Sequence, residues 1–169
     1  LINQRGTALS AAKLVGLLQQ TSAKFNDRIL LQRALSNSGA MAATVGEAFS
    51  TARIVTLINE FDQPEVIYAC LRTAGLATSI VDNYHASGVA YPIDTASGML
   101  GVGRRIDFAL DPNFYTHQPV TGAKVTGTHI PGWEEIAAFA LALHRSCPDL
   151  LLAGWDVGMT EDGPVALEI

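Results

Sequence analysis

Two carboxylates near the end of the chain, Asp156 and Glu168, are the residues whose type and spacing best suit chemistry. Between them, Glu161-Asp162-Gly163 suits a three-residue hairpin loop. In such a loop a type I turn is followed by a left-handed residue, a conformation glycine adopts without strain. That loop pairs Thr160 with Pro164 and, counted back along both strands, sets Asp156 directly opposite Glu168. Directly opposed side chains share one sheet face with Cβ atoms roughly 4.5–5.5 Å apart, and a one-residue slip separates them. Like charges so placed need a cation, and Mg²⁺ is commonly held by one or two carboxylates plus substrate phosphates. Gly154 and Gly158 fall on the same face and leave room for a ligand; Trp155, Val157 and Met159 face the other way, towards a core. By pattern alone the pair reads either as a cation site or as solvated residues on the outside of an amphipathic hairpin.

The elements that position this hairpin are an α+β set around a mostly antiparallel sheet with packed helices. Ser10–Gln20 carries Leu14, Leu17 and Leu18 at helical spacing behind the capping residue Ser10. Residues 28–33 read as a short strand and 36–46 as a small, polar loop. The β-branched runs 51–58 and 66–72, parted by Gln63-Pro64, predict an antiparallel pair. Residues 82–88 read as a loop, 91–94 with 99–105 as a short hairpin, and 111–132 as a long irregular loop. A helix opens near Pro131, with Glu134 and Glu135 at its positive end, and Pro148 closes it; strands 150–160 and 164–169 follow.

Composition bounds the function class. At 169 residues, with 49% hydrophobic and 16% charged, the chain is a globular single domain rather than a disordered segment. The balance of 11 Lys+Arg against 16 Asp+Glu, net -5, contains no basic cluster, so no nucleic-acid face is expected. Cys70 and Cys147 lack ligand spacing and read as buried thiols, consistent with a reducing cytoplasm. His85, His117, His129 and His144 show no metal-ligand spacing either. The longest apolar stretch, 136–143, is too short for a membrane span, which takes roughly 20 residues.

Read in order, Ile130-Pro-Gly-Trp-Glu134, Gly154-Trp-Asp-Val157 and Gly163-Pro-Val-Ala-Leu-Glu-Ile169 resemble the C-terminal part of the ATP-grasp superfamily. The resemblance is closest to the sugar-transfer-associated branch. Ala52-Arg-Ile-Val-Thr56, Leu71-Arg72, Asp82-Asn83, Asp94 to Gly98 and Pro119-Val-Thr-Gly122 keep that branch's order. The resemblance implies an ATP-grasp-like fold and an ATP- and Mg²⁺-dependent carboxylate–amine ligase acting through an acylphosphate, with Mn²⁺ as a substitute metal. It implies that Asp156 and Glu168 bind the metal, and that Arg53 faces the phosphates or the acylphosphate. Asn83 matches a loop residue near the phosphates, although Ser87-Gly88 stands where the family shows paired glycines. Gln32 and Arg33 match the hinge that meets adenine. Arg72 matches a strand-end arginine, for which surface or interface pairing is the preferred reading.

The implied partners are ATP and small-molecule carboxylate and amine substrates. Two departures lead us to expect a C-terminal portion of an ATP-grasp domain, with the N-terminal ATP-clamp half absent or incomplete. The family's upstream lysine and glycine-rich flap are not evident ahead of Arg28, where Lys13 and Lys24 lie in or near a helical stretch without flanking glycines, and the chain stops one residue short of the family's final asparagine. A non-catalytic scaffold or partner-binding module is therefore the alternative. A glycosidase using the two carboxylates as acid and nucleophile ranks last, because Trp155 points away from them.

Overall fold

Alternating apolar and polar side chains build the sheet that carries the site. In the computed structural model, which describes residues 9–29, 33–76, 88–105 and 113–169, strand β1 spans Thr51–Ile58 and β2 spans Pro64–Thr73. Strands β3 (Val89–Pro92), β4 (Arg104–Arg105), β5 (Leu152–Thr160) and β6 (Gly163–Glu168) complete a six-stranded sheet in the order β4-β3-β2-β1-β5-β6. Every neighbouring pair is antiparallel. With helices α1 (Ala11–Phe25), α2 (Gly39–Val45) and α3 (Trp133–Arg145), this is the expected α+β, mostly antiparallel architecture.

The chain divides into two compact units, Leu1–Ala34 and Leu35–Ile169. In the first, α1 begins where its cap was expected, with Ser10 Oγ accepting from Lys13 N–H, and ends at Asn26 in the left-handed region. The strand expected over 28–33 finds no support in its described residues: Arg28, Ile29 and Arg33 are unpaired coil. Residues 30–32 lie outside the described set.

The second unit holds the core. Helix α3 lays Trp133, Ile136, Ala140 and His144 on the sheet face formed by Ala52, Ile54, Leu71, Trp155 and Val157. Two buried polar side chains in this layer find partners. Trp155 Nε1 donates to Thr56 Oγ1 at 2.7 Å, and Tyr91 Oη donates to the His117 carbonyl at 2.8 Å. Burial pushes the Tyr91 phenol well above its ordinary pKa. His144 Nε2 lies 2.8 Å from the Leu150 carbonyl, a geometry that requires the proton on Nε2.

Two expectations change. Residues 36–46 are not all loop: Ser38 caps α2, and tertiary bonds fasten its start, from Ser38 N–H to the Met159 carbonyl and from Gly39 N–H to Glu161 Oε1. No local pattern announces those distant partners. The β1–β2 turn falls at 59–63, where Asn59 Oδ1 accepts from the N–H groups of Phe61 and Gln63, so Pro64 begins β2. Residues 82–87, read as a loop, lie outside the described set.

Thr56→Val keeps the shape of the core but strips Trp155 of its acceptor. Urea denaturation should show a loss of roughly 1–3 kcal/mol, the cost of a buried unpaired donor. An unchanged midpoint would mean that the indole N–H finds another partner.

Candidate functional site

The sheet face opposite the core carries the charge. Cross-strand register sets Arg53 against Asp156 on one side and Cys70 on the other, Thr51 against Arg72, and Asp156 against Glu168. The two sequence-predicted carboxylates and Arg53 are therefore brought together. The predicted pairing holds, but by another route. Thr160 pairs with Gly163 and Met159 with Pro164, a register that alone would oppose Asp156 to Leu167. A β-bulge between Asp156 and Val157 adds one residue to β6 and restores Glu168 to the face. Gly163 takes the left-handed conformation foreseen for it, with φ 105°.

A second bulge brings in a residue the sequence reading placed elsewhere. Ile58 pairs with Pro64 and Thr56 with Val66, but Val55 pairs with Tyr68, which leaves Ile67 over. This shift moves Arg72 onto the face of Arg53. Its Nη2 donates to Asp156 Oδ2 at 2.6 Å and to Thr51 Oγ1 at 2.7 Å, so Arg72 is part of the site rather than a surface pairing residue. Only the bulge reveals this, since an unbroken β1–β2 ladder would turn Arg72 to the opposite face.

Asp156 is the hub. Its side chain is 4% exposed, and Arg53 Nε stands 2.6 Å from Oδ1. That approach is an ion pair without a directed N–H···O bond, so Oδ1 remains a buried oxygen with no hydrogen-bond partner. Arg53 Nη2 donates to Oδ2 at 3.2 Å and lies 3.7 Å from Glu168 Oε1. Burying a carboxylate is costly unless cations and donors replace its water, and these two guanidinium groups do so. Exposure rises outward, from Arg72 at 18% to Arg53 at 34% and Glu168 at 67%.

The glycines do not leave open space. A side chain at Gly158 would run into the Phe49 ring, and one at Gly154 would come within 3.2 Å of Arg53 Nη1. Gly154 instead lets the guanidinium lie close to β5. Cys70 stands on the same face, but burial raises its pKa despite the neighbouring arginines, which disfavours a thiolate nucleophile. Among the described residues no three His, Cys, Asp or Glu side chains form a ready-made metal cage. A cation here would rely on Asp156, Glu168 and a ligand's own oxygens, and the orphaned Asp156 Oδ1 fits such a role.

Gln32 and Asn83 lie outside the described residues, and Arg33 is exposed in the first compact unit. Beside the charged face, a cavity of about 580 Å³ opens among Leu35, Val45, Phe49, Ala74, Leu76 and Val120. No helix among the described residues is long and apolar enough to cross a membrane.

An α+β domain whose antiparallel sheet presents two carboxylates and two arginines on one face has the makings of an ATP-grasp-type domain, a nucleotide-binding class with ligase-like function. The family model described as sugar-transfer associated ATP-grasp matches residues 7–169, and the chain belongs to that family. No curated protein and no solved structure matches it.

Arg72→Ala should cost roughly 1–3 kcal/mol in urea denaturation, because Asp156 loses its short, charge-assisted bond. Unchanged stability would show that Arg53 alone satisfies the buried carboxylate.

Proposed function

We propose that this face binds the phosphates of ATP together with a divalent cation, Mg²⁺ or Mn²⁺, in a carboxylate–amine ligase. The observation that supports it most is the opposed pair Asp156 and Glu168, flanked by two arginines, in a chain of this family. Asp156 and Glu168 would hold the cation, with Oδ1 of Asp156 as the buried donor. When bound, the cation neutralises charge on the phosphoryl group in transfer. Arg53 is the arginine able to engage phosphate oxygens in bidentate fashion, since its side chain reaches towards solvent. Arg72, tied to Thr51, keeps Asp156 in place. On this reading transfer of the γ-phosphoryl group of ATP to a substrate carboxylate gives an acylphosphate and ADP, and attack by an amine forms the C–N bond as phosphate leaves and the amine loses a proton. Asn83, Gln32 and Arg33 retain their proposed roles, the first near the phosphates and the others at the adenine.

A second reading, a scaffold that has lost catalysis, draws on one feature: Arg53, Arg72, Asp156 and Glu168 neutralise one another without a ligand. Calorimetry with MgATP on the full-length protein separates the two. The ligase reading expects binding by the wild type and a loss of about tenfold to a hundredfold or more in Asp156→Ala, as for loss of a metal ligand or its support. Equal affinity in both proteins, with no nucleotide-dependent product from either, would leave the scaffold.

A further inference from the structure

Arg53 reaches both carboxylates of the pair. Its Nε is 2.6 Å from Asp156 Oδ1, and its Nη2 is 3.2 Å from Oδ2 and 3.7 Å from Glu168 Oε1. A guanidinium carried by the neighbouring strand therefore already takes the negative potential of the pair. Yet Asp156 Oδ1, the atom a cation would need, is held by charge and not by a directed bond.

We propose that Arg53 is a placeholder: it fills the Asp156–Glu168 cation site in the nucleotide-free protein and yields it only to a cation arriving with a polyphosphate. The inference rests on the reading that these carboxylates take a divalent cation. Charge supplies the linkage. A divalent ion entering alone meets a guanidinium a few ångströms away, and like charges repel strongly in a partly buried site. Swinging Arg53 out unaided leaves Asp156 and Glu168 facing each other. A polyphosphate resolves both difficulties, because its oxygens accept the fork of N–H donors and also coordinate the incoming cation.

The two arginines divide the work. Arg72 is 18% exposed and anchored on Thr51 by both Nε and Nη2, so it stays with Asp156. Arg53 is 34% exposed, and among the described residues its ion-pair partners are the carboxylates themselves, so it is the one able to change partner. Arg53 thus acts as a positioning residue that makes cation binding conditional on nucleotide.

The test is calorimetry on the full-length protein with MnCl₂ alone and with preformed MnATP. Wild type is expected to bind MnATP but to bind Mn²⁺ alone at least about tenfold more weakly than Arg53→Ala does, the penalty of a site populated mainly in its self-filled state. Adding Asp156→Asn to Arg53→Ala should abolish the new Mn²⁺ site. Wild type binding Mn²⁺ alone as tightly as Arg53→Ala overturns the placeholder and leaves the metal reading standing. So does an Arg53→Ala protein that gains no Mn²⁺ affinity while wild type binds MnATP. Wild type that binds neither Mn²⁺ nor MnATP removes the metal reading, and the placeholder with it. Arg53→Gln, which keeps the stem and loses the charge, serves if Arg53→Ala does not fold. Comparing the two titrations on wild type decides without any variant: equal affinity for Mn²⁺ and MnATP overturns the proposal.

Discussion

A carboxylate buried to within 4% of full enclosure organises this sheet. Two guanidinium groups replace the water that this side chain, Asp156, has lost and offset the cost of its burial. That pairing reaches across three strands: β5 supplies the acid, while β1 and β2 supply the bases. Thr51 accepts from Nε and Nη2 of Arg72, and Glu168 on the edge strand β6 meets the outer side of Arg53. Breaking the register of any of these strands would strand a charge, so the site and the sheet specify each other.

The two faces of the sheet are accordingly different materials. Ile54, Trp155, Val157 and Leu71 form an apolar surface against α3, where stability comes from area removed from water. Thr51, Arg53, Arg72, Asp156 and Glu168 form a polar surface whose members are paired with one another. Phe49 over Gly158 screens one end of the charged row. The cavity beside it, lined by Phe49 and Ala74, lies just beyond the end of β2 that carries Arg72. Charge and shape are thus adjacent but separate.

Bulges supply the alignment. Without the extra residue at Ile67, Arg72 would turn towards α3; without the one at Leu167, Glu168 would leave the face of Asp156. Both interruptions lie beside the charged quartet. Opposed acids and bases at this density tolerate no slip, and bulges are a common way for a sheet to aim side chains at one point.

The alternation of Trp155, Val157 and Met159 against Gly154, Asp156 and Gly158 is a local property, and it determined by itself which face of β5 joins the apolar core. The β-branched runs likewise determined that β1 and β2 pair, and the ordered motifs determined the family. Opposition of Asp156 and Glu168 was also legible, although the Thr160–Pro164 register expected of the loop is replaced by Thr160–Gly163 and a bulge. Tertiary structure decided the rest. Helix α2 depends on bonds to Met159 and Glu161, more than a hundred residues away along the chain. The place of Arg72 depends on an inserted residue with no sequence mark, because a bulge is set by what the whole sheet must align. The Asp156–Glu168 pair needs a counter-charge, and sequence pattern suggests only a metal. The folded sheet supplies a guanidinium from the neighbouring strand, because cross-strand register brings Arg53 closer than any local pattern could indicate.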